Sequence, residues 1–220
     1  MLRTGATCRE VLAKMILKEL DPFHGGDEQA FAARISADRM AYYLRRYFRR
    51  SNTVDVLNGL RIRSSASMAR IDHLVLHAHG MLVIEREDVG GRVQIDDDGN
   101  WTSLADERTL ILGSPITRAY VQALLLKAFL DRRVRQKGFF DNLELDVLVV
   151  VADDAEIEWP QTGRLVEVCN RDAVYDRVEQ RFEQCRLAAR GPGPLNEAER
   201  RTLGSFLCLS HWPRSEFEPE

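Results

Sequence analysis

The chain has 220 residues, of which 45% are hydrophobic and 30% are charged. This composition is typical of one folded domain and excludes a chain that is disordered throughout. The longest apolar runs, ALLLKAFL and LDVLVVVA, are shorter than the roughly 18 residues of a membrane span, so no membrane partner is expected. Four scattered cysteines without a Cys-x-x-Cys pair argue against a zinc ribbon or a disulfide scaffold. The net charge of −3 argues at first sight against a polyanionic partner.

The hydrophobic periodicity predicts helices and strands in a mixed order. The first twenty residues predict a surface helix that lacks the apolar core of a secretion signal, so a cytoplasmic protein is expected. The later predicted elements are a helix over 29–50, strands over 54–112, a helix over 114–136, a buried strand in LELDVLVVVADD, a weaker strand in GRLVEVC, a helix near 171–189 and a last helix from Asn196 to Leu209. This order indicates an α/β fold with a mixed β-sheet flanked by helices.

Three units are predicted along the chain. Residues 1–30 form an N-terminal helical extension, 31–190 a core domain, and 191–220 a C-terminal helix and tail. The apolar N-terminal helix could also serve as a partner surface in a homo-oligomer.

Charge is distributed unevenly among the predicted elements. Residues 31–70 carry nine basic and two acidic groups, 71–113 carry three and nine, and 114–138 carry six and one. Basic surface beside a carboxylate cluster suits an enzyme that holds a phosphate backbone next to a metal ion. Long solvated helices are also often basic, so charge alone leaves both interpretations open. The candidate nucleic-acid contacts on these helices are Arg45, Arg46, Arg49, Arg132 and Arg133.

The segment RIDHLVLHAHGMLVIERE predicts a β-hairpin with a tight turn at Ala78-His79. In this register Asp72 faces Glu85, and Glu87 shares the face of Glu85. Three such close carboxylates are destabilising unless a cation or a proton intervenes, and hard oxygen ligands suit Mg²⁺ or Mn²⁺.

Two other features of the hairpin bear on this metal hypothesis. The register also places Arg70 opposite Glu87, so a salt-bridged, solvent-facing hairpin end is an alternative to a metal site. His73 and His77 are predicted on the face opposite the carboxylates and His79 in the turn, so we do not expect these histidines to be ligands.

The segments ARIDHLVLHAHGMLVIEREDVGGRV and SPITRAYVQALL, with Trp101 between them, resemble the nuclease-related (NERD) domain family of the PD-(D/E)XK nuclease superfamily. That family has an Ile-Asp-His strand, a glycine turn, a Val-Ile-Glu-x-Lys strand, a Trp and an Asn-Pro-x-x-Gln helix start. SADRMAYYLRRYF is similar to its first helix, and LDVLVVVADDAEI to a later core strand. The resemblance covers about 34–170 and implies a restriction-endonuclease-like fold.

The same resemblance implies a metal site and a substrate. Asp72 and Glu85 would bind Mg²⁺ or Mn²⁺, with the main-chain carbonyl of Arg86 as a third ligand and Asp38 as an accessory acid. The implied partner is nucleic acid, with DNA as the expected substrate.

The sequence departs from the family pattern at two positions. Glu87 replaces the catalytic Lys, and Arg118 replaces the Gln of the helix start. Some restriction endonucleases of the superfamily remain active with Glu at the Lys position. A carboxylate can accept a proton or bind a second metal ion, but it cannot supply positive charge. Arg118 could restore that charge, and Gln122, one helical turn later, could replace the missing amide.

The leading prediction is therefore a metal-dependent nuclease that hydrolyses phosphodiester bonds, with Asp72, Glu85, Glu87 and Arg118 as catalytic residues. The alternative is a catalytically degenerate nuclease fold that binds nucleic acid or a protein partner. It is motivated by the same two departures.

Overall fold

A computed structural model describes residues 15–64, 67–105, 108–133, 139–189 and 193–213. The strands are β1 (Ile16–Lys18), β2 (Val54–Ser64), β3 (Ser67–His77), β4 (Gly80–Glu87), β5 (Arg92–Ile95), β6 (Trp101–Ala105), β7 (Arg108–Gly113), β8 (Glu144–Val151), β9 (Glu156–Glu158) and β10 (Val168–Asn170). The α-helices are α1 (Glu28–Phe48), α2 (Pro115–Arg133), α3 (Val174–Ala189) and α4 (Glu197–Leu209). Short 3-10 helices cover Phe139–Asn142 and Arg171–Ala173.

The strands form two mixed sheets. The larger sheet has the order β1-β2-β3-β4-β8-β10, and the smaller one has the order β7-β6-β5-β9. Both contain parallel and antiparallel neighbours. The predicted α/β class is confirmed, and the arrangement is consistent with a restriction-endonuclease-like fold. The division of the strands between two sheets is a finding that the sequence patterns do not predict.

The larger sheet is covered on both faces, which explains why its central strands β4 and β8 are nearly continuous apolar runs. One face packs against α1 and α3 through a cluster that includes Met40, Leu44, Leu82, Ile84, Leu148 and Val178. The other face packs against α2, α4 and the smaller sheet through a cluster that includes Val83, Trp101, Ala123, Leu126, Val149 and Leu203. We call these the α1 face and the α2 face.

The hairpin β3–β4 has the predicted register. His77 pairs with Gly80, and the ladder continues to the pair of His73 with Ile84. Gly80 also touches the first residue of β8, where a Cβ atom would lie 2.0 Å from the carbonyl oxygen of Glu144. Only glycine fits there, which fixes how closely the hairpin turn approaches β8.

Side chains cap the starts of three helices. The Asp27 side chain accepts from the Ala30 N–H at the start of α1, and Ser114 Oγ accepts from the Thr117 N–H at the start of α2. Asn196 begins α4 with a capping box.

The beginning of the chain differs from the expected surface helix. Residues 1–14 of that prediction lie outside the described residues, and Ile16–Lys18 form a strand parallel to β2. Leu17 packs against Gly204 of α4, so apolar residues at helical spacing are here used in a strand that covers the edge of β2. The predicted domain boundaries stay predictions, although β1 is a strand of the larger sheet and α4 packs on that sheet. Within the described residues, no helix is both long enough and apolar enough to cross a bilayer.

Candidate active site

The last three residues of β4 leave the core at one end of the larger sheet. Residues 80–84 of this strand are buried, whereas Glu85, Arg86 and Glu87 are half-buried. Successive residues of a strand point to opposite faces, so Glu85 and Glu87 lie on the α2 face and Arg86 on the α1 face. The contacts of these three side chains agree with that alternation, since Glu85 and Glu87 meet α2 while Arg86 meets α1.

Arg118, in the first turn of α2, joins the two glutamates. Its Nε donates to Glu85 Oε1 at 2.9 Å, and its Nη2 donates to Glu87 Oε2. The glutamate side chains are only 13% and 14% exposed, while that of Arg118 is 43% exposed. A single guanidinium therefore pairs with two adjacent carboxylates that are largely withdrawn from water.

The environment makes both glutamates weaker acids than usual. Burial raises the pKa of Glu85, and the negative charges of Asp72 and Glu87 raise it further, against the opposing effect of Arg118. Burial likewise raises the pKa of Glu87, with smaller contributions from Asp88 and Asp72, and Arg118 again opposes the shift. Repulsion by neighbouring carboxylates thus adds to burial in opposing the ionised form of both glutamates.

Asp72 turns towards Arg86. One of its carboxylate oxygens accepts from the Arg86 backbone N–H at 2.9 Å and lies 3.4 Å from the Arg86 Nε. The Arg86 guanidinium also donates to the Ala33 carbonyl of α1 and to Asp88. The predicted convergence on one face thus holds for Glu85 and Glu87, whereas Asp72 is held at the border of the α1 face.

The displacement of Asp72 has a local cause. Leu57 and Leu60 of β2 pack in the same cluster, as do Ile71 and Leu74 of β3, although residues three apart should lie on opposite faces. The alternation therefore shifts by one residue in both strands at the same level. Gly59 has a φ of +60° at this level, a conformation that glycine adopts readily.

Gln122 of α2 fixes the beginning of the hairpin. Its Oε1 accepts from the Arg70 backbone N–H at 2.7 Å. The side chain thus ties α2 to β3 two residues before Asp72. The predicted accessory role of Gln122 in the reaction stays a prediction.

The other predicted site residues lie away from the carboxylates. Asp38 accepts from Arg34 at 2.9 Å on the surface of α1. Arg45 pairs with Glu19, Arg132 donates to the Ala128 carbonyl, and Arg133 stacks on Phe129, while Arg46 and Arg49 are exposed.

Helix geometry gives the separation of these arginines from the site. Ala33 contacts Arg86 in the N-terminal half of α1, and Arg118 lies in the first turn of α2. At a rise of 1.5 Å per residue, the arginines near the ends of the two helices are roughly 18–24 Å from those contacts. Their role as nucleic-acid contacts stays a prediction, and it would concern a surface remote from the carboxylates.

The hairpin histidines are core residues. His73 is fully buried and its Nδ1 lies 2.8 Å from Asn58 Oδ1, while His77 stacks on Phe182 of α3 at 4.3 Å between ring centroids. Burial lowers the pKa of His77 to about 3, so this ring is neutral at physiological pH. In the described part of the chain no three His, Cys, Asp or Glu side chains lie close enough together to hold a metal ion as they stand.

A cavity of about 860 Å³ lies beneath the N-terminal half of α1, beside Asp72. The residues that line it include four arginines, Arg34, Arg61, Arg70 and Arg86, and the connection between β1 and α1. The sequence patterns treat that connection only as a break between helices. Predicting this cavity from the sequence would require the pairing of β2 with β3. That pairing cannot be assigned without knowing the turn between the two strands.

A family model described as the nuclease-related domain (NERD) matches residues 33–152. The matched segment runs from α1 to the end of β8 and includes Asp72, Glu85, Glu87 and Arg118. No curated protein and no solved structure matches the chain. Since the family model covers more than half of the 220 residues, the chain belongs to the nuclease-related domain family.

Proposed function

We propose that this protein is a divalent-metal-dependent nuclease that hydrolyses phosphodiester bonds in nucleic acid, with DNA as its expected substrate. The observation that carries the proposal is the group of half-buried carboxylates at the end of β4, placed against a guanidinium from the first turn of α2. Carboxylates with raised pKa values beside a fixed cation are typical of catalytic sites.

The donor set suits Mg²⁺ or Mn²⁺ in kind, because Asp72, Glu85 and Glu87 supply hard oxygen ligands. Asp72 and Glu85 would hold the ion, with the Arg86 carbonyl as a third ligand. A bound ion would polarise the scissile phosphate and make water a better nucleophile at neutral pH.

The side chains of this site have separate roles in the proposed hydrolysis. Glu87 accepts the proton of the attacking water, for which its raised pKa is favourable. Arg118 stabilises the negative charge that develops on the phosphate, and it thereby replaces from the helix the cation that the strand lacks at position 87. The N-terminus of α2 adds a partial positive charge at the same place.

One observation favours a second candidate, a catalytically degenerate module that binds nucleic acid or a protein partner. Each carboxylate of the cluster already has a cationic partner, Arg86 for Asp72 and Arg118 for the two glutamates. Two guanidinium groups therefore offset two of the three negative charges of the cluster without a metal ion.

A cleavage assay decides between the two candidates. Plasmid DNA and single-stranded DNA are incubated with purified protein and Mg²⁺ or Mn²⁺, beside the variants Asp72→Asn, Glu85→Gln and Arg92→Gln. Arg92 pairs with Glu158 in the smaller sheet and serves as the control. We expect wild type and Arg92→Gln to cleave and both carboxylate variants to be inactive. Absence of metal-dependent cleavage by the wild type, or unchanged cleavage by both carboxylate variants, would refute the nuclease.

A further inference from the structure

The Arg86 guanidinium lies between two aspartates and bonds to them unequally. Its Nη1 donates to Asp88 Oδ2 at 2.9 Å and to the Ala33 carbonyl of α1 at 3.2 Å. Its Nε lies 3.4 Å from Asp72 Oδ2 but has no hydrogen-bond partner within the described residues. The side chain is only 12% exposed, so contacts with Asp88 and α1, more than water, hold this cation in place.

Ser36 of α1 holds Asp88 in turn. Its hydroxyl bonds to Asp88 Oδ1, the oxygen that Arg86 does not use. The Nη2 of Arg171 donates to the same hydroxyl at 3.3 Å. Since a guanidinium can only donate, the Ser36 oxygen accepts from Arg171 and its hydrogen remains for Asp88. Asp88 is thus fixed through both of its carboxylate oxygens.

Arg171 is a buried cation that lies beyond the segment matched by the family model. It belongs to the 3-10 helix after β10 and is 5% exposed. Its Nη1 donates to Asp153 Oδ2 at 3.2 Å. Burying a charge costs free energy unless the charge is paired, so Asp153 fixes this guanidinium and, with it, the bond to Ser36. A chain of polar contacts therefore runs from Asp153 across α1 to Arg86.

The hold on Arg86 matters for Asp72, because a guanidinium and a metal ion compete for the same carboxylate. Asp72 accepts the Arg86 backbone N–H through Oδ2, a bond that orients the side chain without adding a full positive charge. Its Oδ1 takes part neither in this bond nor in the contact with Nε. A guanidinium that was free to turn would form two parallel hydrogen bonds with Asp72, since arginine and carboxylate groups frequently pair in this way. Such a pair would make Asp72 less available to a cation.

We propose that Ser36 and Asp88 are positioning residues, which hold the Arg86 guanidinium on α1 and thereby keep Asp72 open for a divalent cation. Arg171 supports them by fixing the Ser36 hydroxyl. The inference rests on the proposed function, since it names the residues that govern metal binding at the same site. None of these three supporting side chains belongs to the proposed catalytic residues.

Ser36→Ala tests the inference without changing the net charge. The variant removes the hydroxyl that anchors Asp88, and Ala is a better helix former than Ser, so α1 should still fold. Thr202→Ala removes a hydroxyl that donates to the Ala198 carbonyl on α4 and serves as the control. Two measurements are made on each protein, the Nε–H signal of Arg86 in ¹⁵N NMR spectra in EDTA and a calorimetric titration with Mn²⁺. Arg86→Met assigns the NMR signal.

We expect the Arg86 Nε–H signal of Ser36→Ala to shift downfield and to exchange with solvent more slowly than in the wild type, because the group then donates to Asp72. The variant should bind Mn²⁺ about three- to tenfold more weakly, a factor that corresponds to about one hydrogen bond. Arg86→Met has no competing guanidinium, so the double variant Ser36→Ala/Arg86→Met should bind Mn²⁺ like Arg86→Met alone. Thr202→Ala should match the wild type in both measurements.

Three results would overturn the inference. The first is an Arg86 Nε–H signal that is the same in Ser36→Ala and the wild type. The second is Mn²⁺ binding by Ser36→Ala that is as tight as that of Thr202→Ala. The third is an equal loss of Mn²⁺ affinity through Ser36→Ala in the wild-type and Arg86→Met backgrounds, since loosening of α1 alone would weaken binding whether or not Arg86 is present.

The outcome for Ser36 is separable from that for the nuclease. If Asp72→Asn abolishes cleavage while Ser36→Ala changes neither the Arg86 signal nor Mn²⁺ binding, the nuclease stands and the positioning inference fails. If Ser36→Ala gives both expected changes while the wild type binds Mn²⁺ without cleaving nucleic acid, the positioning inference stands and the nuclease fails. A wild type that binds no Mn²⁺ would overturn both.

Discussion

Replacing Arg118 with Gln tests the central feature of the site, because it removes the cation shared by Glu85 and Glu87 while keeping a polar side chain. Breaking a fully buried ion pair costs about 3–5 kcal/mol, and breaking an exposed one about 0.2–1 kcal/mol. The glutamates are 13% and 14% exposed, but Arg118 is 43% exposed and hydrated. Each of the two ion pairs of Arg118 should therefore contribute an amount close to that of an exposed pair. The variant, which loses both, should have an unfolding free energy about 1–2 kcal/mol lower in EDTA.

A divalent cation should reverse this loss. In the wild type an ion competes with Arg118 for Glu85, whereas in Arg118→Gln it does not. A pairing free energy of about 1–2 kcal/mol corresponds to a five- to thirtyfold difference in affinity, so the variant should bind Mn²⁺ tighter by roughly that factor. At about ten times Kd, the ion should add ~1.4 kcal/mol to the stability of the variant.

Urea unfolding with EDTA and with Mg²⁺, together with calorimetric Mn²⁺ titration, measures both effects. Arg92→Gln, which removes an exposed ion pair of the smaller sheet, should change the free energy of unfolding by less than about 0.5 kcal/mol and should respond to metal like the wild type. Arg118→Lys should recover only part of the stability, because an ammonium cannot bridge two carboxylates as a guanidinium does. Stability in EDTA equal to that of the wild type, or equal Mn²⁺ affinity in the two proteins, would refute this account of the site.

Two further predictions concern buried groups of the larger sheet. Burial lowers the pKa of His77 to about 3. Between pH 6.5 and 3 the unfolded chain therefore binds more protons at this residue than the folded chain does, and the free energy of unfolding decreases as the pH is lowered. The free energy of unfolding should decrease by ~2 kcal/mol from neutral pH to pH 5. His77→Phe keeps a ring against Phe182 and should lose less stability over this range, as measured by urea unfolding at the two pH values. An equal loss in the variant and the wild type would contradict this prediction. Arg200→Met leaves the fully buried Asp55 with Arg201 as its remaining cation. The variant should lose about 3 kcal/mol of unfolding free energy, as measured by urea unfolding. A loss below about 1 kcal/mol would show that Arg200 does not hold α4 on β2.

The hairpin register was predictable because the turn, the glycine after it and the apolar character of the strands all favour the same pairing. The turn at Ala78-His79 is followed by a glycine, and the strands on both sides are apolar until Glu85. A shift by one residue would have moved every buried side chain to the opposite face. The helix start at Ser114-Pro115 was predictable for a similar reason, since N-cap and first-turn preferences depend only on neighbouring residues.

The position of Asp72 was not predictable from the hairpin alone. Its side chain turns towards Arg86 because the alternation shifts in β2 and β3 together, at the level of Gly59. That shift depends on how β2, which lies outside the hairpin, pairs with β3. The pairing of Arg61 with Arg70 across the same two strands was not predictable either, because charges counted along the chain do not show which residues are neighbours in a sheet.

The two departures from the family pattern are related in space. Glu87 lacks the positive charge of the family's Lys, and Arg118 brings a positive charge where the family has a neutral Gln. Because the Arg118 guanidinium bonds to both Glu85 and Glu87, the charge missing from the strand is present at the same place from the helix. Either change alone would leave the site with unbalanced charge, two unpaired carboxylates with Glu87 alone or an additional cation beside a Lys with Arg118 alone. The two changes together lower the summed charge of the two positions from +1 to 0 but keep one cation beside Glu85, so the loss of the Lys does not by itself indicate a loss of function.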